Sequence, residues 1–194
     1  MLFRRSAPAA DDLGQFLRNW IQNPRAVGAV APSGRSLARL MATGVTPGAR
    51  VVELGGGTGT VTQAIVDSGV KPQDLVIVEQ NPQFCAILRR RFPSCIIVED
   101  DVAALAEHLD GERGTFDYVI SGLPLVLFSS AQKLRLVTAV FDLLAPHGVL
   151  HQFTYAGRCP INRDIRDGLS LQCALLGIAP INLPPAFVYR LARR

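Results

Sequence analysis

The fold class predicted for this chain is a three-layer α/β/α domain around a mostly parallel, seven-stranded sheet. Three observations predict it. Short apolar runs alternate with helix-like segments from Gly48 onward, as in successive β-α units with helices on both faces of one sheet. A glycine-rich turn joins the first apolar run to the segment after it. Beyond Tyr155 the alternation stops, and two apolar runs separated by Pro184-Pro185 read as an antiparallel C-terminal edge hairpin.

The elements follow in order. Residues 50–54 (RVVEL) form a short buried strand after the turn Thr46-Pro47-Gly48. A helix over 59–68 leads to a strand at 75–79 (LVIVE). The next helix, 82–92, is stopped by Pro93, and a strand follows at 95–98 (CIIV). Then come a helix over 102–109 and a strand at 116–121 (FDYVIS). A helix over 131–144 ends at Ala145-Pro146-His147-Gly148, ahead of a strand at 149–155 (VLHQFTY). A short helix over 162–169 precedes the last two strands, near 172–181 and 186–191. Right-handed crossovers set the strand C-termini along one edge, where ligands bind.

Ahead of this core, Leu13, Phe16, Leu17, Trp20 and Ile21 fall at i, i+3, i+4, i+7 and i+8, one apolar stripe on a helix over 11–22. Asp11 or Asp12 can cap it and Pro24 stops it. A second helix is expected over 33–42 with Ser33 as its N-cap. Two parts result: a helical segment over 1–45 and the α/β core over 46–194.

A length of 194 residues suits one domain with a sizeable core. The 48% hydrophobic content fits a sheet buried on both faces and leaves room for a surface that meets something apolar. The net charge of +4 suits an anionic partner, either nucleic acid or an acidic bilayer. No uninterrupted apolar run of about 18 residues occurs, so no transmembrane span is expected. The basic residues 1–5 are not followed by the apolar run and cleavage site of a secretory signal. Cys85, Cys95, Cys159 and Cys173 lack C-x-x-C spacing. They read as reduced, mostly buried thiols with no metal site.

The strongest local signal is Glu53-Leu54-Gly55-Gly56-Gly57-Thr58-Gly59, after a strand and before a helix. The carboxylate of Glu53, two residues ahead of the first glycine, can balance the ammonium and sulfonium end of S-adenosylmethionine. A dinucleotide instead brings pyrophosphate to such a turn, and an acid there repels it. No G-K-[ST] follows, which argues against a phosphate-cradling loop. Glu79, ending the second strand, can accept both hydroxyls of a ribose. Glu99-Asp100-Asp101 ends the third strand. Asp101 first, and Asp100 second, can accept from an adenine amino group. Singly each acid also reads as a helix cap. Three acidic tips on successive strands point together to a positively charged nucleoside.

With these residues the chain resembles the Rossmann-like class I S-adenosylmethionine-dependent methyltransferases over about 48–155. More narrowly it resembles the bacterial phospholipid N-methyltransferases that convert phosphatidylethanolamine to phosphatidylcholine. The segments that carry this likeness are Phe16-Leu17-Arg18-Asn19-Trp20, Val27-Gly28-Ala29-Val30-Ala31-Pro32-Ser33-Gly34, Ser121-Gly122-Leu123-Pro124-Leu125, Gln152-Phe153-Thr154-Tyr155 and Asn182-Leu183-Pro184-Pro185-Ala186. The resemblance implies a cytoplasmic enzyme docked on the inner face of the cytoplasmic membrane. It implies S-adenosylmethionine as methyl donor, S-adenosylhomocysteine as product, no metal, and one to three methylations of the ethanolamine amine. The cofactor contacts implied are Ser33, Glu53, Gly55, Gly57, Gly59, Glu79, Asp100, Asp101, Val102, Ser121 and Gly122. The related ribosomal-RNA adenine dimethyltransferases carry N/D-[LI]-P-[YF] after the fourth strand. Here Leu125 replaces the aromatic that would stack on a flipped base, which argues against an adenine substrate.

The stripe Leu13, Phe16, Leu17, Trp20 and Ile21 reads in two ways: packing on its own domain, or lying in a bilayer interface. Trp20 and the surrounding Arg4, Arg5, Arg18 and Arg25 favour the membrane, each basic residue contributing about 1 kcal/mol at an anionic surface. The same segment is a candidate lid over cofactor and lipid.

Methyl transfer is an in-line displacement, for which the protein mainly positions the partners and excludes water. The lipid amine must first lose a proton. Tyr155 and His151 on the fifth strand are candidates for contact with it, although alternation puts both on one face, where either can be core. The Ser121-Gly122-Leu123 backbone can hold the amine through carbonyls. Arg25, Arg158 and Arg163 are candidates for the lipid phosphate, with a surface role as the competing reading. Arg89-Arg90-Arg91 reads as the solvated C-terminal end of a helix. Two other functions compete on the same scaffold: an rRNA adenine or protein methyltransferase, and a non-enzymatic binding module.

Overall fold

A computed structural model of the chain describes residues 32–182 and 184–194. The helices are α1 (Pro32–Met41), α2 (Thr60–Asp67), α3 (Pro82–Arg91), α4 (Leu105–His108), α5 (Ser130–Leu143) and α6 (Arg163–Gly168). The strands are β1 (Val51–Leu54), β2 (Leu75–Glu79), β3 (Ile96–Glu99), β4 (Phe116–Ser121), β5 (Leu144–Thr154), β6 (Leu171–Ala179) and β7 (Ala186–Arg193). They form one sheet in the order β3-β2-β1-β4-β5-β7-β6.

The expected three-layer architecture is present. Strands β1 to β5 pair in parallel. The C-terminal hairpin is there too, inserted in a particular way. Its second strand, β7, lies between β5 and β6 and is antiparallel to both. The two edge strands of the sheet are therefore β3 and β6.

Alternation along the strands divides the core in two. Val52, Leu54, Val76, Val78, Val119 and Leu150 pack with Leu136, Val137 and Val140 of α5. Val51, Ile77, Ile120, Phe153 and Val188 pack on the other face with Leu37, Ala38 and Met41 of α1 and with Ala64 and Ile65 of α2. Fully burying each such aliphatic side chain contributes about 1.5–3 kcal/mol. Because both faces are covered, the strand stretches read as apolar runs without polar alternation.

Local boundaries differ from the sequence reading where side chains intervene. Helix α1 begins at Pro32, so Ser33 sits in its first turn and not at the cap. Helix α5 begins at Ser130 because Ser129 and Gln132 form a reciprocal capping box: Ser129 Oγ accepts from Gln132 N at 3.2 Å, and Gln132 Oε1 from Ser129 N at 2.9 Å. The helix expected over 102–109 is split into a 3-10 turn, Val102–Ala104, and the short α4. Asp101 Oδ1 accepts from Ala103 N at 2.8 Å and tightens that turn. Strand β5 starts at Leu144 and takes in Ala145-Pro146-His147-Gly148 as an irregularity, with Phe116 paired to Leu144 and Tyr118 to Val149. The Arg193 guanidinium donates to the Leu144 and Ala145 carbonyls at 3.3 and 3.0 Å, which ties this stretch to β7.

The 11–22 stripe of Leu13, Phe16, Leu17, Trp20 and Ile21, the basic Arg4, Arg5, Arg18 and Arg25, and the side chain of Ser33 lie outside the described residues. Among the described residues no helix is long and apolar enough to cross a membrane.

Candidate active site

The parallel topology brings the C-terminal tips of β1, β2, β3 and β4 to one edge. A cleft of about 940 Å³ opens there, lined by Gly55, Gly57, Glu79, Asp100, Asp101, Val102, Gly122 and Leu123, with Leu127 and Phe128 at its side. Most of the residues expected to hold a cofactor are thus brought together. Gly59 and Ser121 stand behind this lining.

The turn after β1 works through its backbone. Gly57 has φ +54, in the left-handed region that favours glycine, and its N–H donates to Glu79 Oε2 at 2.9 Å. Gly56 is glycine for a different reason: a Cβ there would stand 2.5 Å from Ile77 Cγ2. The turn can therefore lie flat on β2 and bring its amides to the edge. Glu79 Oε1 accepts from Asn81 N at 2.8 Å. This carboxylate is thus held by one amide from each flanking loop.

The β3 tip combines capping with cleft lining. Asp101 caps the 3-10 turn, and Asp100 Oδ2 lies 2.6 Å from His108 Nε2. The His108 hydrogen bond, joined by that of Asp101 N–H, holds the Asp100 carboxyl below the usual carboxylate range. Capping and ligand binding are therefore compatible at this tip, since both acids also face the cleft.

Glu53 is the unusual group. Its side chain is only 1% exposed and lies behind the turn, on the α1–α2 face. Oε2 accepts from Thr62 Oγ1 at 2.6 Å. Oε1 has no hydrogen-bond partner among the described residues. Burial pushes its pKa up to about 8; the Thr62 hydrogen bond opposes that shift, and the negative charge of Glu79 adds to it. A buried acceptor left without a donor costs about 1–3 kcal/mol, which a cationic ligand end would offset.

The β4 tip is shaped by close backbone approach. Gly122 N donates to Leu54 O at 2.8 Å, and a Cβ on Gly122 would stand 3.0 Å from Gly55 O. Ser121 is buried, and its Oγ accepts weakly from Leu123 N at 3.4 Å. Gln152 supports this loop from β5. Its Nε2 donates to Leu123 O at 2.9 Å and to Phe153 O at 2.8 Å, while its Oε1 has no partner among the described residues. The sequence assigns no role to Thr62, and shows Gln152 only as the first residue of the segment Gln152-Phe153-Thr154-Tyr155 that carries the family resemblance.

The candidates for substrate contact separate. Tyr155 follows β5 at the cleft edge of the sheet, on the α1 face. It packs edge-on against Phe153 at 5.4 Å between ring centroids, and burial raises its pKa against the opposing influence of the Asn182 side chain. His151 is placed elsewhere. Its Nδ1 lies 2.8 Å from Met41 O, its ring meets Tyr118 edge-on at 5.8 Å, and it borders a separate cavity of about 610 Å³ at the opposite edge. Burial lowers its pKa. His151 pins the end of α1 and is not brought to the cleft. Arg163 is exposed and bonded to Asp167 at 3.3 Å on its own helix, Arg158 is exposed, and Arg25 is outside the described residues.

A parallel sheet crowned by acids beside a glycine turn, with an inserted antiparallel seventh strand, defines a class I S-adenosylmethionine-dependent methyltransferase. Residues 51–148 match the family model of the methyltransferase domain, and the chain belongs to that family. It is 35% identical over 150 residues to an ornithine lipid N-methyltransferase of Singulisphaera acidiphila, covering 74% of this chain and 78% of that one. Solved structures share the fold. One is a 1,6-didemethyltoxoflavin-N1-methyltransferase from Burkholderia thailandensis with S-adenosylhomocysteine bound: TM-score 0.67, 16% identity, 100% of this chain and 94% of that one. Another is a magnesium protoporphyrin IX methyltransferase from Synechocystis PCC 6803 with S-adenosylmethionine bound: TM-score 0.67, 14% identity, 97% and 100%. S-adenosylmethionine is the cofactor of this chain. The carboxylate-lined cleft and the unpartnered Glu53 oxygen fit that cation.

Proposed function

We propose that this protein transfers methyl groups from S-adenosylmethionine to the primary amine of a zwitterionic membrane lipid, with phosphatidylethanolamine as substrate and phosphatidylcholine as end product. The observation that carries the lipid reading is an apolar rim. Leu127, Ile178 and Ile181 are large, exposed side chains on the same edge as the acid-lined cleft, since Ile178 pairs with Phe187 and Phe187 with Thr154 at the end of β5. Exposed apolar side chains along the same sheet edge as a polar cleft, with Leu127 in the cleft lining itself, suit a substrate with a charged head and greasy tails.

In this reading Glu79 accepts the ribose hydroxyls, and Asp101 with Val102 holds the adenine. Asp100 supports the Asp101 turn. Glu53 and the backbone of Gly55, Gly57 and Gly59 serve the cationic methionine end, with Ser33, Ser121 and Gly122 closing the seat. The bound cofactor supplies an electrophilic methyl group. Leu123 and the carbonyls beside it line the approach of the amine, and Tyr155 stands at the same edge. Once the ammonium has given its proton to water, its lone pair must lie in line with the methyl carbon, so these groups act by orientation. Arg25, Arg158 and Arg163 are offered to the lipid phosphate. Residues 1–45, with their amphipathic stripe, dock the α/β core over 46–194 on the inner face of the cytoplasmic membrane.

A second lipid is favoured by a specific finding. The relative from Singulisphaera acidiphila carries ornithine lipid in its name. Ornithine lipid shares with phosphatidylethanolamine a primary amine, an anionic group and acyl tails. An RNA substrate is less well served, because Leu125 is buried in the core and presents no face for base stacking.

The test is incubation of the purified full chain with labelled S-adenosylmethionine. The acceptors are vesicles of phosphatidylethanolamine, vesicles of ornithine lipid, and RNA. Label in phosphatidylethanolamine products is the expected result. Label only in ornithine lipid moves the substrate to the second lipid, and label only in RNA overturns the lipid reading.

A further inference from the structure

A groove of about 510 Å³ lies between α1 and α2. Both helices start toward the cleft edge of the sheet. Helix α2 follows the glycine turn after β1, and α1 ends at the opposite edge, where Met41 O meets His151. Arg35 and Arg39 line the groove from α1, and Thr60, Gln63 and Asp67 line it from α2. Arg91, from the last turn of α3, joins them and donates to Thr58 O. Thr58 also lines the cofactor cleft, so the two cavities meet at the glycine turn.

The charge of this groove is lopsided. Arg35, Arg39 and Arg91 are exposed cations on one lining. The acid of that lining, Asp67, sits at the far end of α2 and accepts from Gln63 on its own helix at 2.9 Å. The start of α2 adds the partial positive charge of a helix N-terminus. Its N-cap is Gly59, which has no side chain to offer as an acceptor. Arg91 is held in place by the Thr58 carbonyl and by the Phe92 ring, 5.0 Å from its guanidinium carbon. Arg35 and Arg39 stand one turn apart on α1, so both can serve one ligand.

Building on the lipid reading above, we infer that this groove is a second site, which takes the headgroup phosphate of an acidic membrane phospholipid beside the cleft that holds cofactor and substrate. Guanidinium forks match phosphate oxygens in pairs, and a helix N-terminus favours the same anion. A nucleic-acid strand presents its phosphates in a row and is met by a basic track. Here the arginines gather around one groove. Its neighbour is an edge that carries the exposed Leu127, Ile178 and Ile181, and α1 continues the chain from the apolar stripe over 11–22. A phosphate held at the flank of the cleft turns its mouth to the bilayer, so that the substrate amine enters from the plane of the membrane.

The experiment uses the full chain and sedimentation with vesicles of phosphatidylcholine, alone or mixed with phosphatidylglycerol. Neither lipid offers an amine to methylate, so this result stands apart from that of the methylation assay. The double variant Arg35→Gln with Arg39→Gln should bind the mixed vesicles about 10- to 30-fold more weakly than wild type. Its binding to phosphatidylcholine alone and its cofactor affinity by calorimetry should stay within about twofold. Arg35→Lys with Arg39→Lys keeps the charge and loses the forks, and should lose about threefold. A control of equal charge, Arg113→Gln with Arg135→Gln, removes two exposed arginines elsewhere and should stay close to wild type. Equal loss in the control, or no loss in the Arg35 and Arg39 variants, overturns the site. A fall in cofactor affinity that matches the fall in vesicle binding gives the arginines to the cofactor instead and also overturns it. So does tighter binding of an RNA oligonucleotide than of the mixed vesicles through the same two residues.

Discussion

The two edges of the sheet are built from the same strands and hold their polar groups in opposite states. At the edge where β1 and β4 begin, polar side chains are bonded within the protein. Tyr118 Oη donates to Gly44 O at 2.6 Å, Asp117 Oδ2 accepts from Arg50 N at 2.9 Å, and His151 Nδ1 is 2.8 Å from Met41 O. At the edge where the strands end, Glu53 Oε1, Gln152 Oε1 and Asn182 Oδ1 are buried without partners among the described residues. Buried polar groups are ordinarily satisfied. The difference sets an edge braced by its own atoms against one whose buried acceptors are left open among the described residues.

The largest test of that contrast is Glu79→Ala. It removes an acceptor for the ribose and unties the Gly57 and Asn81 amides at once. Cofactor affinity, measured by isothermal titration, should fall about 100-fold or more. An unchanged Kd would break the contrast outright.

Glu53→Gln probes the next largest effect. The folded pKa of Glu53, about 8, lies above the ordinary 4.5. Below pH 4.5 both folded and unfolded chains hold the proton. Between 4.5 and 8 the unfolded chain releases it and the folded chain keeps it, so stability falls as pH rises through this window and levels off above it. The glutamine variant should lose that slope and be more stable at pH 8 by on the order of 2 kcal/mol in denaturant titration. Binding of the cationic cofactor at pH 7 should release a proton from wild type and none from the variant, as read by calorimetry in buffers of different ionisation enthalpy.

His151→Leu sharpens the other side. Loss of the bond to Met41 O should cost about 1–2 kcal/mol of stability, with cofactor affinity and turnover within about twofold of wild type. A 100-fold fall in turnover would return His151 to the chemistry. The smallest effect belongs to Arg89→Ala, which breaks an exposed pair with Glu99 at 2.6 Å. It should change stability by about 0.5 kcal/mol or less, measured by thermal unfolding.

Which parts of this contrast could be read from the chain follows from range. The apolar runs at β1, β2 and β4 declare strands because both their faces are buried, and Glu79 declares itself by ending one of them. Tyr155 and His151 could not be told apart, because both lie on one face. Their separation depends on where α1 docks, far away in the chain. Gln152 and Asn182 carry no local signal of their burial. An amide in a strand and an asparagine in a turn are ordinary until the neighbours are known. The stretch Ala145-Pro146-His147-Gly148 reads as a turn on its own, and joins β5 through the pairing of Leu144 and Val149 with β4 on either side of it and the Arg193 bond to the Ala145 carbonyl. The insertion of β7 between β5 and β6 is likewise a pairing between distant segments.

That insertion fixes the order in which the sheet can be completed. Strand β6 precedes β7 in the chain, yet it has no strand to pair with until β7 has settled against β5. A folding chain in which β7 has not yet docked therefore exposes the flank of β5 along much of its length. In that interval the molecule is most open to pairing with another copy of itself or to capture by a chaperone. Docking of Ala186–Arg193 against β5 closes it.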